Sequence, residues 1–266
     1  MKKIMNQPKS KLCVIIGGGN GIGAACCYLM AKMGWDLAVV DLDIEQASKV
    51  ASEVGGKAYT ADLGDLNDME KLSKLIERDQ GPIASLVVSA AMFQDKFTPA
   101  EFPVDLYRKV IDVNITGTFF ANRVFGTEMS KRGYGTIVNI ASDSAIGGPL
   151  HAYGPAKAAV ITLTRNLAAQ WGGCGVRVNS VSPGATRTQR VLNRPKGRYA
   201  ENIEKYFALG RPAMPMEIAQ AVEFLASDRA SAITGIDLLV DCGMSAGGRW
   251  GMYGGIPSAD SMDSVV

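Results

Sequence analysis

Short apolar runs alternate with longer helix-forming segments along most of this chain, and that alternation is its strongest constraint on the fold. The predicted strands lie at 12–16, 37–40, 57–60, 86–88, 136–140, 176–181 and 237–240, and helical patterns separate them. Strands that are largely apolar on both faces are typical of a parallel sheet covered by helices on its two sides. Because parallel crossovers are right-handed, the sequence predicts an α/β fold with a single doubly wound parallel sheet, the Rossmann fold.

The composition fits one large core. Of the 266 residues, 47% are hydrophobic, and 28 basic side chains nearly balance 26 acidic ones. This composition excludes a disordered chain, a collagen-like repeat and a coiled coil. No linker or internal repeat divides the chain, so we expect one domain over 1–266 with a C-terminal arm at 243–266. With so little net charge, neither nucleic acid nor an anionic membrane surface is an expected partner.

Cysteine and histidine usage bears on the compartment and on metal binding. The five cysteines include no CxxC pair, which favours reduced thiols and a cytoplasmic protein. His151 is the only histidine, so a site built on several histidines is excluded and we expect no metal. The uncharged stretch at 12–31 has the length of a membrane span, but five glycines and Asn20 interrupt it. We therefore expect no transmembrane segment.

A glycine-rich loop joins the first predicted strand to a helix, with the sequence Gly17-Gly-Gly-Asn-Gly-Ile-Gly23. Glycines let a pyrophosphate approach the backbone closely, and the helix N-terminus offers it free N–H groups. The alternative is a tight turn in which glycine only satisfies the backbone conformation. We predict a dinucleotide-binding loop, with contacts from Gly17, Gly19, Asn20, Gly21, Ile22 and Gly23.

Acidic residues follow the second and third predicted strands. Asp41, with Leu42 after it, can accept hydrogen bonds from both ribose hydroxyls of an adenosine and would repel a 2′-phosphate. The sequence therefore favours NAD over NADP, and the alternative is a solvated acid at a strand end. Asp62, with Leu63 after it, either contacts the adenine or caps the next helix.

Polar residues in the middle of the chain suit acid/base chemistry. Tyr153 and Lys157 are four residues apart at the start of a predicted helix, so they share one face. A nearby ammonium lowers the pKa of a phenol, which then exchanges a proton with an alcohol or carbonyl oxygen near neutral pH. Ser142 follows a predicted strand at the carboxyl edge of the sheet, where its hydroxyl can hold a substrate oxygen. Asn114 interrupts a helical pattern and serves a water or backbone network, or forms a kink.

In combination, these motifs resemble the short-chain dehydrogenase/reductase family over 10–245. The similarity extends beyond the glycine loop and the Tyr/Lys helix to further segments: Asp62-Leu63, Asp112-Val-Asn114, Ile137 to Ser142, Asn179 to Gly184, Gly210-Arg-Pro212, Thr234-Gly235 and Val240-Asp241. Each segment is weak alone, but their order and spacing are specific.

The resemblance implies a catalytic tetrad. Tyr153 is the acid/base, Lys157 binds the nicotinamide ribose and lowers the phenol pKa, Ser142 orients the substrate oxygen, and Asn114 supports a proton-relay water. Ser144 is a rival for the serine role, because the spacing between Ser142 and Tyr153 is shorter than is common in the family. The resemblance also implies a homotetramer or homodimer in the cytoplasm, and further cofactor contacts at Ala90, Pro183, Gly184, Thr186 and Thr188.

Several residues are candidates for the substrate site, each with a structural alternative. Met92 and Phe93 either form an apolar wall of the site or pack in the core. His151 either contacts the substrate or caps a helix. A basic segment suits either an anionic substrate or a solvated surface, and it contains Arg187, Arg190, Arg194, Lys196 and Arg198.

The sequence therefore predicts an NAD-dependent oxidoreductase that interconverts a secondary alcohol and a ketone, with Tyr153 as acid/base. One alternative is an NADPH-linked carbonyl or 3-oxoacyl reductase. Another is a dinucleotide-binding protein without catalysis.

Overall fold

Seven parallel strands form one sheet in the computed structural model, which describes residues 10–193, 203–247 and 255–256. The strands are β1 (Leu12–Ile16), β2 (Asp36–Asp41), β3 (Lys57–Thr60), β4 (Ile83–Val88), β5 (Gly135–Ile140), β6 (Val176–Pro183) and β7 (Asp237–Val240). Their order is β3-β2-β1-β4-β5-β6-β7, and every pairing is parallel. The doubly wound sheet expected from the sequence is confirmed, and its direction of winding reverses between β1 and β4.

Eight α-helices connect these strands in the described residues. They are α1 (Gly21–Lys32), α2 (Ile44–Val54), α3 (Leu66–Gln80), α4 (Val104–Ile111), α5 (Thr118–Arg132), α6 (Tyr153–Trp171), α7 (Gln189–Leu192) and α8 (Pro215–Ala226). Asp43 and Asp65 cap α2 and α3, because the carboxylate of each accepts hydrogen bonds from two backbone N–H groups of the first turn. None of the helices that the structure describes is long and apolar enough to span a membrane.

The buried side chains of the central strands pack on two apolar cores, one on each face, because side chains alternate across a sheet. In β1, Cys13 and Ile15 pack with α1, α2 and α8, while Leu12, Val14 and Ile16 pack on the opposite face with α3 and α5. Both faces of the strand are therefore buried, and this is the reason that its sequence is a continuous apolar run.

The first βα unit also buries three thiols. Cys13, Cys26 and Cys27 are inaccessible to solvent between β1 and α1, whereas Cys174 is exposed. Burial raises the pKa of Cys13 to about 12, and it also raises the pKa values of Cys26 and Cys27. These thiols fill space in the core, as small apolar side chains would.

Two helices near the predicted site can be compared with the sequence prediction. The predicted helix that carries Tyr153 and Lys157 is α6, which begins at Tyr153, and Pro155 falls in its first turn, where it interrupts no hydrogen bond. The helical pattern that Asn114 interrupts contains a π-helical segment, Asp112–Gly117, between α4 and α5. Gly117 ends that segment, and a Cβ on it would lie 2.7 Å from the carbonyl oxygen of Leu63. Glycine at this position therefore lets the π-helical segment pack closely against the chain at Leu63.

Candidate active site

A cavity of about 1400 Å³ opens at the carboxyl edge of the sheet, beside the point where the winding reverses. Ligands of doubly wound proteins bind at this position, because the loops on either side of the reversal separate. The cavity is lined by most of the residues predicted for the site: Gly17, Asn20, Gly21, Ile22, Asp41, Leu42, Asp62, Leu63, Ala90, Met92, Phe93, Ser142, Tyr153, Lys157, Pro183, Gly184, Thr186 and Thr188.

Backbone atoms leave no room for a side chain at Gly17 and Gly23 of the glycine loop. Gly17 has φ +81°, and a Cβ there would lie 2.4 Å from the backbone nitrogen of Ala90. A Cβ on Gly23 would lie 1.9 Å from the carbonyl oxygen of Gly17. The loop therefore folds against the start of α1 and against the segment that follows β4. This is the cradle that a pyrophosphate requires.

Asp41 lies at the end of β2 and is held against the loop. Its Oδ2 accepts a hydrogen bond of 2.9 Å from the backbone N–H of Gly19, and its Oδ1 accepts one of 3.2 Å from Asp43. A Cβ on Gly19 would lie 2.8 Å from the same Oδ2. Gly19 itself does not line the cavity. Its N–H group instead holds the Asp41 carboxylate against the loop.

Asp62 is not a helix cap, and this alternative from the sequence is wrong. The cap of α3 is Asp65, while Asp62 Oδ1 accepts a hydrogen bond of 2.8 Å from the N–H of Gly64. Asp62 instead lines the cavity together with Leu63, on the same side as Asp41.

The Tyr/Lys pair lies in the first two turns of α6, with both side chains lining the cavity. The Nζ of Lys157 is 5.6 Å from the centroid of the Tyr153 ring and donates a hydrogen bond of 2.7 Å to the carbonyl oxygen of Ile140. Only 1% of Lys157 is exposed, and burial lowers the pKa of its ammonium to about 7. A phenolate beside this group would favour the charged ammonium, and the ammonium would favour the phenolate in return.

A residue that the sequence reasoning missed holds the start of α6. The side-chain oxygen of Gln94 accepts hydrogen bonds from the backbone N–H groups of Ala152 and Tyr153, at 2.8 and 2.9 Å. Gln94 is 3% exposed, and the neighbouring Phe93 ring stacks on Tyr153 with centroids 4.5 Å apart. A glutamine within an irregular segment gives no periodic signal, so the pattern of the sequence contains nothing that points to it.

Ser142 lies two residues after the end of β5, at the predicted edge of the sheet, and caps the 3₁₀ turn Asp143–Ala145. Its Oγ donates to Asp143 Oδ1 at 3.0 Å and accepts from the N–H of Ser144 at 3.1 Å. Ser144 Oγ donates to the same carboxylate oxygen at 3.4 Å. Ser142, Asp143 and Ser144 all line the cavity, so both serines remain candidates for the residue that orients the substrate oxygen. Burial raises the pKa of the Asp143 carboxyl, a residue that the sequence analysis did not single out.

Asn114 lies within the π-helical segment and does not line the cavity. Its Nδ2 donates to the carbonyl oxygens of Met92 and Val110, at 2.7 and 2.8 Å. Its buried Oδ1 has no hydrogen-bond partner among the described residues. Asn114 thus ties the segment after β4 to the end of α4, which combines the backbone network and the kink considered from the sequence.

The segment after β6 closes the cavity above the glycine loop. Thr186 Oγ1 donates to the carbonyl oxygen of Gly184 at 2.9 Å, and Thr188 caps α7 by accepting a hydrogen bond from Val191 at 3.4 Å. A Cβ on Gly21 would lie 3.5 Å from Thr188 Cγ2, so the two segments face each other.

The structure does not bring every predicted residue to the cavity. His151 is exposed and outside the lining, and Ala152 occupies the cap position of α6. Arg187 is also exposed, with its guanidinium 3.8 Å from the carboxylate of Glu204. The side chain of Arg190, together with Arg194, Lys196, Arg198 and most of the predicted C-terminal arm, lies outside the described residues.

The residues present fit a dinucleotide. The glycine loop offers a close approach to backbone N–H groups, a carboxylate at the end of β2 can accept hydrogen bonds from ribose hydroxyls, and the cavity continues from there to Tyr153. No group of three or more His, Cys, Asp or Glu side chains in the described part of the chain is arranged to hold a metal ion.

Known proteins are similar to this chain in sequence and in fold. A family model described as enoyl-(acyl carrier protein) reductase matches residues 17–245. D-threitol dehydrogenase of Mycolicibacterium smegmatis is 35% identical over 241 residues, which are 88% of this chain and 92% of that protein. The crystal structure of ribose-5-phosphate isomerase from Brucella melitensis 16M has a TM-score of 0.90 at 42% identity, covering 93% of this chain and 96% of that one. NAD⁺-bound xylitol dehydrogenase has a TM-score of 0.82 at 25% identity, covering 89% and 100%.

These similarities confirm the resemblance that the motifs indicate. The chain belongs to the short-chain dehydrogenase/reductase family.

Proposed function

We propose that this protein is an NAD-dependent dehydrogenase that interconverts a secondary alcohol and a ketone. One observation carries the proposal: the buried ammonium of Lys157 lies 5.6 Å from the Tyr153 ring, in the same cavity as the glycine loop. The name of the D-threitol dehydrogenase supports the class of reaction, since threitol is an alcohol.

Tyr153 removes the hydroxyl proton when the alcohol is oxidised and returns it in the reverse direction. Lys157 stabilises the phenolate electrostatically, because both groups are shielded from water. Ser142 holds the substrate oxygen next to the phenol. Phe93 covers one face of the Tyr153 ring and fixes the direction of its hydroxyl.

The glycine loop, the Asp41 carboxylate, Thr186 and Thr188 would hold NAD, with Asp41 accepting hydrogen bonds from the adenosine ribose. When bound, the nicotinamide supplies the acceptor or donor of the hydride. Asp41 favours NAD over NADP because a second negative charge on the ribose would lie beside the carboxylate. The NAD⁺-bound xylitol dehydrogenase supports this preference.

Oxidation of a panel of secondary alcohols with NAD, followed by the absorbance of the reduced nicotinamide, tests the function. Tyr153→Phe keeps the aromatic stack on Phe93 but removes the acid/base, so we expect turnover to fall by about 10² or more while NAD binds with unchanged affinity. Near-normal turnover in this variant would refute the assignment of Tyr153. Faster reaction with NADPH and ketones would favour the carbonyl reductase alternative, and NAD binding without turnover would favour a protein without catalysis.

The name of the Brucella protein adds a control reaction. Ribose 5-phosphate is incubated with the protein in the absence of nicotinamide, and its conversion to the ketose is measured. We expect no conversion, because the Tyr153 site is arranged beside a dinucleotide cradle. Conversion at a rate above that of the alcohols would make isomerisation the function.

We also propose that the protein works in the cytoplasm as a single-domain homotetramer or homodimer over 1–266. Its reduced cysteines support the first statement, and its family supports the second. Light scattering after size-exclusion chromatography measures the mass of the oligomer. A monomeric mass at working concentration would contradict the homotetramer or homodimer.

A further inference from the structure

Asp143 is the one acidic side chain that directly neighbours the predicted substrate-orienting serine in the chain, and it lines the same cavity. It begins the 3₁₀ turn after β5, so the turn presents Ser142, Asp143 and Ser144 together. Both serine hydroxyls donate to Oδ1, at 3.0 and 3.4 Å. The described residues provide no side-chain donor to Oδ2 and no cation within ion-pair distance of this carboxylate.

The half-buried Asp143 carboxylate has an acceptor position to spare, since the backbone N–H of Ser144 is its one further donor among the described residues. Its two oxygens offer about four acceptor positions, and an ionised group partly shielded from water is unfavourable until these are filled. Asp241 lies near enough to raise the Asp143 pKa further, so a second carboxylate adds to the demand for donors. The Asp241 oxygens already accept from the N–H groups of Gly243 and Ser245.

We propose that Asp143 selects substrates that carry a second hydroxyl on the carbon next to the one oxidised, by accepting a hydrogen bond from it. This inference rests on the proposed function, since it assumes that the reacting oxygen is held by Ser142 and Tyr153. The substrate class is then a neutral vicinal diol or polyol.

Distance and charge support this class. Oxygens on neighbouring carbons lie roughly 3 Å apart, as hydrogen-bonded oxygens do, and Ser142 Oγ is 3.0 Å from Asp143 Oδ1. A substrate whose first hydroxyl contacts Ser142 therefore brings its second to the carboxylate. An anionic group at that position would face Asp143 and be repelled. By their names, the relatives that act on threitol and xylitol take polyols.

The test compares kcat/KM for threitol and xylitol with that for cyclohexanol, which has a single hydroxyl. Asp143→Ala also removes the acceptor of the Ser142 hydroxyl, so the two kinds of substrate are compared as a ratio. We expect kcat/KM for the polyols relative to kcat/KM for cyclohexanol to fall about 10- to 100-fold, the effect of losing a hydrogen bond to a charged group. Asp143→Asn keeps the shape and a neutral acceptor, so its loss should be intermediate. Asp105→Ala removes the same charge from an exposed position on α4, and it should leave kcat/KM unchanged for the polyols and for cyclohexanol.

An equal loss for polyols and cyclohexanol, with a lower melting temperature, would mean that the carboxylate only supports the turn and would overturn the proposal. An unchanged ratio would overturn it as well. Should the wild type oxidise no alcohol, the proposed function fails. A polyol-induced rise of the melting temperature with NAD present, seen in the wild type and absent from Asp143→Ala, would still support the role of Asp143. No such rise in the wild type would overturn it.

Discussion

The side-chain oxygen of Gln94 accepts a hydrogen bond of 2.9 Å from the backbone N–H of Tyr153. It also accepts one from Ala152, so a single buried acceptor serves two N–H groups that the first turn of α6 leaves unpaired. The position of the phenol thus depends on a side chain from the segment after β4.

Gln94→Leu should destabilise the protein and reduce catalysis. It leaves the N–H groups of Ala152 and Tyr153 without an acceptor, which costs about 1–3 kcal/mol each when such groups are buried. We expect a lower free energy of unfolding in urea and a fall in kcat larger than any change in KM. Gln94→Glu keeps the acceptor and should restore most of kcat. A low kcat in both variants would contradict a positioning role.

Asp41→Ala should shift the cofactor preference towards NADP. The change removes the carboxylate from the end of β2 and with it the repulsion of a 2′-phosphate. We expect the ratio of kcat/KM for NADP to that for NAD to rise about tenfold or more. Glu45→Ala removes an exposed negative charge nearby, outside the cavity lining, and should leave the ratio unchanged. A wild type that already prefers NADP would contradict the ribose argument.

Lys157→Met should change how stability depends on pH. Burial lowers the pKa of Lys157 from 10.5 to about 7 in the folded protein, while the unfolded chain keeps the ordinary value. Between these two pH values the unfolded state binds more protons, so this residue makes the wild type more stable as the pH rises. Relative to Lys157→Met, the free energy of unfolding should increase by up to about 1.4 kcal/mol per pH unit above pH 7. Urea titrations without ligand measure this, and a constant difference would disprove the burial of a titrating ammonium.

Gly23→Ala should weaken both the fold and NAD binding. The added Cβ would lie 1.9 Å from the carbonyl oxygen of Gly17, and the backbone must move to relieve this contact. Overpacking of this kind costs about 1–3 kcal/mol, and here it distorts the loop. Gly172→Ala is the matched control, since φ is −56° there and nothing lies within 4 Å of the new Cβ. Equal NAD affinity in both variants would contradict the cradle.

The sequence predicted the centre of the sheet well, because β1 and β4 are buried throughout and β2 and β5 nearly so, and this burial leaves apolar runs. It also predicted the position of Ser142 from its register with β5. The π-helical segment around Asn114 could not be predicted, since a change in helical hydrogen bonding leaves the spacing of apolar residues almost intact. Gln94 and Asp143 were missed for another reason. Each acts through contacts with residues that the fold brings close, and neither belongs to a periodic pattern.

The buried thiols of the first βα unit make opening of that unit measurable in the unmodified protein. Alkylation requires an accessible thiolate. Cys13, Cys26 and Cys27 do not react in the folded protein, because they are buried and their pKa values are raised. Exposed Cys174 reacts from the native state and serves as an internal reference. The rate at which Cys13, Cys26 and Cys27 are modified therefore reports how often β1 and α1 separate. A ligand bound to the loop between these two elements would lower that rate.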